Sequence, residues 1–130
     1  MNLTLSRVLI VDDEIQLLEL IEGILEDLPI DITTARSGEE GIEIIKSSKE
    51  FAVTISNFYM GGGMHGKEFL KFVGSYSPNT IRILMTGGLD HDSLLKNQEK
   101  GKFDSFVIKP IILNNFVNQV EKSINEYNTK

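Results

Sequence analysis

The sequence predicts an α/β fold in which a parallel β-sheet lies between two layers of helices. The apolar residues change from strand-like to helix-like spacing five times along the 130 residues, which predicts five strand–helix units. Several of the strand segments are continuous apolar runs, typical of parallel strands buried on both faces. Right-handed crossovers between such strands place helices on both sides of the sheet.

The first unit combines a buried strand with an apolar-striped helix. Residues 8–11 form a short run of β-branched residues and Leu, which predicts a strand. From Glu14 the apolar residues recur at helical spacing as far as Leu28. Pro29 follows and helps to end the helix.

The second unit begins with a weaker strand. Residues 30–34 alternate apolar and polar side chains, a pattern that suits the edge of a sheet. Ser37 precedes Glu40 by three residues, which is a capping-box pattern and predicts the start of a helix. Ile42 and Ile45 fall on the buried side of that helix.

The second half of the chain repeats the alternation. Its three strands and three helices are predicted, in chain order, at residues 52–56, 68–75, 81–85, 90–99, 106–108 and 113–124. A glycine-rich loop over residues 61–66 precedes the first of these helices. The helix over residues 90–99 is polar and weakly patterned, whereas the last helix has apolar residues at regular steps of three and four.

Composition excludes several classes of function. The net charge of −6 and the pI near 4.9 argue against binding to nucleic acid or to an anionic membrane, since both require a basic face. The chain has no cysteine, so it has no disulfide, thiolate catalyst or Cys-ligated metal. Without an apolar run long enough to cross a bilayer, we expect a cytoplasmic domain.

Polar residues end four of the five predicted strands. They are Asp12, Asp13, Asn57, Thr86 and Lys109. Parallel strands end at one edge of the sheet, so these side chains are expected to meet there. Two adjacent carboxylates repel, so they need either a cation or a raised pKa, and a hard cation such as Mg²⁺ is the natural partner. A lysine and a hydroxyl can hold anionic oxygens. The set predicts a site that handles phosphoryl groups.

Each of these residues also has a simpler interpretation. Asp12 and Asp13 could cap the first helix and complement its dipole. Thr86 stands before two glycines and could be a turn residue, and Lys109 could be a solvated lysine. The site is favoured because all of them fall on the same edge of one sheet.

Three motifs at these separations, VLIVDDE, ILMTGG and FVIKP, resemble those of response-regulator receiver domains of two-component signalling, which are CheY-like. The resemblance covers about residues 7–127. It implies a flavodoxin-like, doubly wound (βα)5 three-layer sandwich with the sheet order 2-1-3-4-5, in agreement with an edge position for the second strand. It also implies that residues 1–130 are a single receiver domain with a core at about 7–127.

The resemblance assigns a role to each matched site residue. Asp12 and Asp13 correspond to the acidic pair that holds Mg²⁺, and the main-chain carbonyl of Tyr59 would be a further metal ligand. Thr86 corresponds to the switch hydroxyl that closes on the phosphoryl group. Lys109 corresponds to the lysine that pairs with that group.

Phe106 corresponds to the aromatic switch residue whose rotamer follows the state of the switch hydroxyl. A conventional core aromatic is an equally good interpretation of the same residue.

Asn57 departs from the family pattern. It stands where receiver domains carry the aspartate that accepts a phosphoryl group from a histidine kinase. A side-chain amide is a poor nucleophile and cannot form the acyl phosphate, so we expect the usual phosphorylation to be absent. As a metal ligand, Asn57 brings one negative charge fewer than aspartate and should weaken Mg²⁺ binding.

Two origins of Asn57 stay open, natural divergence to a pseudo-receiver and a substitution that blocks phosphorylation. The loop favours divergence, because Gly61, Gly62 and Gly63 replace the usual Pro-Gly and add one residue. His65 stands where an acidic residue is common. It could contact a metal or a phosphate, but an exposed loop residue is the better interpretation.

The resemblance implies a conformational switch and interaction module, not an enzyme. The expected partners are a histidine kinase or phosphotransfer protein and an output domain, fused or separate. A surface formed by residues 90–99, the fifth strand and the last helix would change with state, and it could also form a homodimer. The alternatives are a phosphorylation-independent pseudo-receiver, a Mg²⁺-dependent phosphatase of the haloacid-dehalogenase type and a flavodoxin-like electron carrier.

Overall fold

Five parallel strands form one sheet in the computed structural model, which describes residues 5–87 and 102–130. The strands are β1 (Ser6–Val11), β2 (Ile30–Ala35), β3 (Val53–Asn57), β4 (Ile81–Thr86) and β5 (Ser105–Ile108). Their order is β2-β1-β3-β4-β5, which confirms the predicted flavodoxin-like topology and the edge position of β2. The central strand is β3, and its last residue is Asn57.

Helices cover both faces of this sheet. Within the described residues they are α1 (Ile15–Ile24), α2 (Gly38–Ser47), α3 (Gly66–Tyr76) and α4 (Leu113–Asn128). The helix predicted over residues 90–99, together with Gly88 and His91, lies outside the described residues. None of the described helices is both long and apolar enough to cross a bilayer.

Successive residues of the inner strands belong to two separate cores. Val8 and Ile10 of β1 join the cluster that includes buried residues of α1 and α4. Leu9 and Val11 point to the other face and join the cluster that includes buried residues of α3 and α2. All four side chains are fully buried, because a strand presents alternate residues to opposite faces and here both faces are covered.

Helix α1 is shorter than its apolar pattern predicts, ending at Ile24 rather than near Leu28. Tight backbone bonds follow the helix, from the N–H of Glu26 to the carbonyl of Gly23 and from Leu28 to Leu25. Leu25 is nevertheless fully buried, and Leu28 packs against the same cluster. The apolar spacing therefore continues past the helix because burial continues, not because the helix does.

The start of α2 follows the capping-box prediction. The side-chain oxygen of Ser37 accepts a hydrogen bond from the backbone N–H of Glu40 at 3.0 Å. Glu39 and Glu40 occupy the first turn and Lys46 the last, an arrangement that complements the helix dipole. Helix α4 begins at Leu113, which is exposed, and its buried side is formed by Phe116, Val120 and Ser123.

Helix α3 begins in close contact with the end of β3, two residues before the predicted start. The backbone N–H of Gly66 donates to the carbonyl of Phe58 at 2.9 Å. A Cβ at residue 66 would lie 2.0 Å from the carbonyl oxygen of Asn57. Only glycine fits at this position without moving either the helix or the strand end.

We predict that Gly66→Ala lowers the free energy of unfolding by about 2–4 kcal/mol, because the added methyl group displaces packed backbone. Gly62→Ala is the matched control, since a Cβ at residue 62 meets nothing within 4 Å. The control should lie within about 0.5 kcal/mol of the parent. Urea denaturation of the three proteins measures both effects, and equal stabilities would contradict the close approach.

Candidate functional site

The candidate site lies at the carboxyl edge of the sheet. Backbone hydrogen bonds extend the sheet one residue beyond its strands, from the N–H of Phe58 to the carbonyl of Met85 at 2.7 Å and from Lys109 to Thr86 at 2.8 Å. These bonds fix the directions in which the chain leaves β3 and β5. The Lys109–Pro110 peptide bond at this edge is cis.

Asp12 is fully buried directly after β1. Its Oδ1 accepts the backbone N–H of Glu14 at 2.9 Å, and its Oδ2 lies 3.5 Å from Nζ of Lys109. Burial raises the pKa of Asp12 above its usual value of 3.8, while the Glu14 N–H and Lys109 act in the opposite direction. Asp12 therefore binds the chain just before α1, whose N-cap residue is Glu14, and forms an ion pair across the site; it does not cap the helix as the simpler interpretation proposed.

Asp13 has the opposite electrostatic character. Its Oδ2 accepts the backbone N–H of Gly61 at 3.0 Å, which joins the end of β1 to the glycine-rich loop. That hydrogen bond is the largest cause of a pKa below the usual value for this carboxyl. The two neighbouring aspartates thus differ because Asp12 faces the interior and Asp13 faces a backbone donor.

Asn57 is almost fully buried, with 8% of its surface exposed, and both ends of its amide are used. Its Oδ1 accepts a hydrogen bond from Nζ of Lys109 at 2.9 Å. Its Nδ2 donates to the main-chain carbonyl of Tyr59 at 2.6 Å. The opposite amide orientation would set Nδ2 against an ammonium group and Oδ1 against a carbonyl, so the neighbours determine the orientation.

Lys109 is not a freely solvated lysine, since only 25% of its side chain is exposed and its ammonium group contacts both Asn57 and Asp12. The structure thus brings three of the predicted site residues into direct contact. They come from the ends of β1, β3 and β5, as the parallel-sheet argument predicts.

Thr86 lies at the end of β4 and Phe106 lies on β5, as predicted. Thr86 is fully buried at the end of β4, and its hydroxyl donates to the carbonyl of Gly87 at 3.2 Å. Phe106 is half-buried and packs against the core cluster beneath α2 and α3. Its main-chain carbonyl accepts a hydrogen bond from Nε2 of Gln119. Their switch roles remain predictions.

His65 differs from the sequence-based interpretation, because it is not an exposed loop residue. It is half-buried directly before α3, and its ring stacks on Tyr59 with centroids 4.9 Å apart. Its Nδ1 accepts the backbone N–H of Met60 at 3.3 Å. Oε2 of Glu39 accepts the N–H of Met64 at 3.3 Å, so side chains hold the loop at several points.

The acidic residues fit a hard divalent cation. Carboxylate oxygens of Asp12, Asp13 and Glu14 lie within 4.8 Å of one another, and Mg²⁺ prefers such oxygens. Glu14 was not predicted as a metal ligand from the sequence, although it directly follows the two aspartates. The main-chain carbonyl of Tyr59, in contrast, already accepts a hydrogen bond from Asn57.

Comparison with known families identifies the domain. The model of the response regulator receiver domain matches residues 8–121. The chain belongs to the response regulator receiver family. Receiver domains are regulatory switches that bind Mg²⁺ through acidic residues and interact with histidine kinases or phosphotransfer proteins. The assignment drawn from the three sequence motifs is therefore confirmed.

Individual relatives of this receiver are distant in sequence. The nitrogen assimilation regulatory protein NtrX of Azorhizobium caulinodans is 25% identical over 117 residues, which are 90% of this chain and 26% of the relative. The receiver thus spans about a quarter of that protein.

Solved structures match the receiver over nearly its whole length. A structure described as adenylate cyclase from Rhodopirellula baltica has 28% identity and a TM-score of 0.87, covering 97% of this chain and 92% of the other. A receiver domain protein from Clostridium thermocellum has 25% identity and a TM-score of 0.84, covering 96% and 98%.

We predict that Lys109→Met lowers the free energy of unfolding by about 1–3 kcal/mol near neutral pH, because buried Asp12 loses its cation and Asn57 loses a donor. Without Lys109 the pKa of Asp12 rises further above 3.8 in the folded state. A raised folded pKa gives stability that is present at low pH and lost as pH rises through that pKa. The deficit should therefore grow from about pH 4 upward.

Lys122→Met, at an exposed position on α4, is the matched control and should change stability by less than about 0.5 kcal/mol. Denaturant titrations across this pH range measure both variants against the parent. A Lys109→Met deficit independent of pH would contradict the ion pair with Asp12.

Proposed function

We propose that this receiver acts in two-component phosphorelay signalling as a conformational switch and protein-interaction module, and that it does not accept a phosphoryl group as it stands. The observation that carries the proposal is the position of Asn57. It ends the central strand, is buried, and has the lysine ammonium on its oxygen at 2.9 Å. That is the place and the lysine contact expected of the family's acceptor carboxylate.

The chemistry of residue 57 decides whether this site can be phosphorylated. An aspartate oxygen attacks phosphorus and becomes part of an acyl phosphate, and the donor leaves with its bonding electrons. The amide of Asn57 offers a weakly nucleophilic oxygen and a nitrogen whose lone pair is delocalised. In addition, hydrogen bonds to Lys109 and Tyr59 engage both ends of the amide.

The other site residues support a phosphoryl-binding arrangement. Asp12 and Asp13 are proposed to hold Mg²⁺, and the grouping of Glu14 with the aspartates supports this. As further proposed ligands, Asn57 and the main-chain carbonyl of Tyr59 would have to give up the hydrogen bond between them, which opposes binding of the metal. A bound Mg²⁺ would neutralise charge on phosphoryl oxygens. Because Asn57 is neutral, Mg²⁺ should bind more weakly than to a site with a third carboxylate.

Thr86 and Phe106 are proposed as the switch pair, and Lys109 as the cation that holds anionic oxygens. The burial of Thr86 at the end of β4 supports this, as does the packing of Phe106 on β5. Both strands are neighbours in the sheet, with Thr86 paired to Ile108. A change at the site would thus reach the surface through β5.

The proposed context is that of a cytoplasmic regulatory domain without enzymatic turnover. Its partners would be a histidine kinase or phosphotransfer protein and an output domain, fused or separate. The similarity to NtrX, of which the chain covers 26%, supports an output domain. We also propose that residues 1–130 form one receiver domain, that residues 90–99 with β5 and α4 could form a homodimer, and that this domain binds neither nucleic acid nor membrane.

A phosphorylation-independent binding module is the second candidate. One observation favours it: the amide of Asn57 is satisfied at both ends, so the site is complete without a phosphoryl group. The two candidates differ in whether the rest of the site remains competent for phosphorylation when residue 57 is acidic.

We predict that Asn57→Asp gains one phosphoryl group on incubation with Mg²⁺ and acetyl phosphate, whereas the parent chain gains none. The variant restores the nucleophile, and the contacts of Lys109 with Asn57 and Asp12 in the parent chain support the competence of the rest of the site. Intact-mass spectrometry measures the outcome. Asn57→Gln serves as the control, because it restores no carboxylate.

Modification of the parent chain would show that Asn57 is not at the acceptor position. If neither protein is modified, the loss of function extends beyond residue 57, and the phosphorylation-independent module is the correct account. Modification of Asn57→Asp alone supports the receiver proposal.

A further inference from the structure

We infer that the side-chain amide of Asn57 replaces a divalent cation in closing this site, so that the β3–α3 loop (residues 58–65) keeps its conformation without metal. The inference rests on the proposed function and concerns the regulation of the same site. It predicts that the dependence of the loop on metal is determined by the residue at position 57.

The hydrogen bond from Asn57 to Tyr59 is one that a carboxylate at residue 57 could not make. Nδ2 of Asn57 donates to the Tyr59 carbonyl at 2.6 Å, and this carbonyl is the predicted main-chain ligand of the metal. A carboxylate has almost the same shape as the amide but no proton to donate. In the same position, one of its oxygens would face the Tyr59 carbonyl oxygen at hydrogen-bond distance, and the two would repel unless a cation lay between them.

The charge of the site also depends on residue 57. With Asn57, the site contains the carboxylates of Asp12 and Asp13 and the ammonium of Lys109. Asp12 lies 3.5 Å from that ammonium, and Asp13 accepts the N–H of Gly61 at 3.0 Å. The two aspartates and the lysine therefore each have a partner within the chain, while the exposed carboxylate of Glu14 lies at the edge of the same acidic group. Aspartate at residue 57 would add a further, nearly buried carboxylate, and its repulsion with the others is what a cation relieves.

Hydrogen bonds within the chain also fix the rest of the loop. The N–H of Met60 donates to Nδ1 of His65, the N–H of Gly61 donates to Asp13, and Met60 is buried in the core. At the end of the loop the N–H of Gly66 donates to the carbonyl of Phe58. With the Asn57–Tyr59 bond, these contacts extend from one end of the loop to the other, and all of them use protein groups.

Backbone amide hydrogen exchange over residues 59–63 tests the inference, with each protein measured in EDTA and in excess MgCl₂. In the Asn57 chain, Mg²⁺ should change the exchange rates by less than about twofold and the Tm by less than about 1 °C. In Asn57→Asp, the loop in EDTA should exchange at least about tenfold faster and the Tm should fall by about 5 °C. Mg²⁺ should reverse both changes in that variant.

The double variant Asn57→Asp with Asp13→Asn is the matched control. Asparagine at residue 13 keeps an oxygen that can accept the Gly61 N–H but removes one of the carboxylates predicted to bind metal. Its loop should remain fast-exchanging in Mg²⁺. Recovery of loop protection in this variant would mean that Mg²⁺ orders the loop without the carboxylate of Asp13. That result would overturn the inference that the Asn57 amide replaces a metal bound by the acidic pair.

Loop protection that appears in the Asn57 chain only with Mg²⁺ would overturn the inference, as would equal protection of Asn57→Asp and the parent in EDTA. If Asn57→Asp does not fold in EDTA, the comparison of the Asn57 chain with and without Mg²⁺ decides alone. The proposed function is tested separately. Phosphorylation of the Asn57 chain would contradict it, and the change in mass is measured independently of whether the loop needs metal.

Discussion

The side chain at the end of the central strand has to satisfy a cation on one side and a carbonyl oxygen on the other. Lys109 and the main chain of Tyr59 supply these neighbours, and the amide of Asn57 meets both with one acceptor and one donor. A carboxylate accepts from the lysine but has no proton to donate to the Tyr59 carbonyl. The rest of the site follows from this pair of bonds, because Lys109 held by Asn57 also contacts buried Asp12. Tyr59 is the second residue of the β3–α3 loop, in which the N–H of Gly61 donates to Asp13.

The two aspartates show how the fold gives neighbouring identical residues different properties. Asp12 continues the buried course of β1, so burial raises its pKa, whereas Asp13 faces the loop and a backbone donor lowers its pKa. Only one of them forms an ion pair with Lys109, the single cation at the centre of the described site. A receiver with a carboxylate at residue 57 as well has more negative charge beside this one lysine, and the added negative charge favours binding of a metal cation.

The sheet and the meeting of Asp12, Asn57 and Lys109 at its edge were predictable from the sequence, because both depend on burial and on strand direction. The alternation of Val8 to Val11 between two cores is visible as a continuous apolar run. Local endings were less predictable: Leu25 and Leu28 stay in contact with the core after α1 has ended. The contacts of His65 and the donor bond of Asn57 depend on a loop conformation and an amide orientation that no sequence spacing specifies.

The most direct test is the side-chain amide signal of Asn57 in ¹H–¹⁵N NMR spectra recorded in EDTA and in Mg²⁺. A hydrogen bond from Nδ2 to the Tyr59 carbonyl predicts one slowly exchanging side-chain proton and a scalar coupling across the bond to the Tyr59 carbonyl carbon, the same in both conditions. Two rapidly exchanging side-chain protons and no coupling in EDTA would contradict closure of the site by Asn57 without metal.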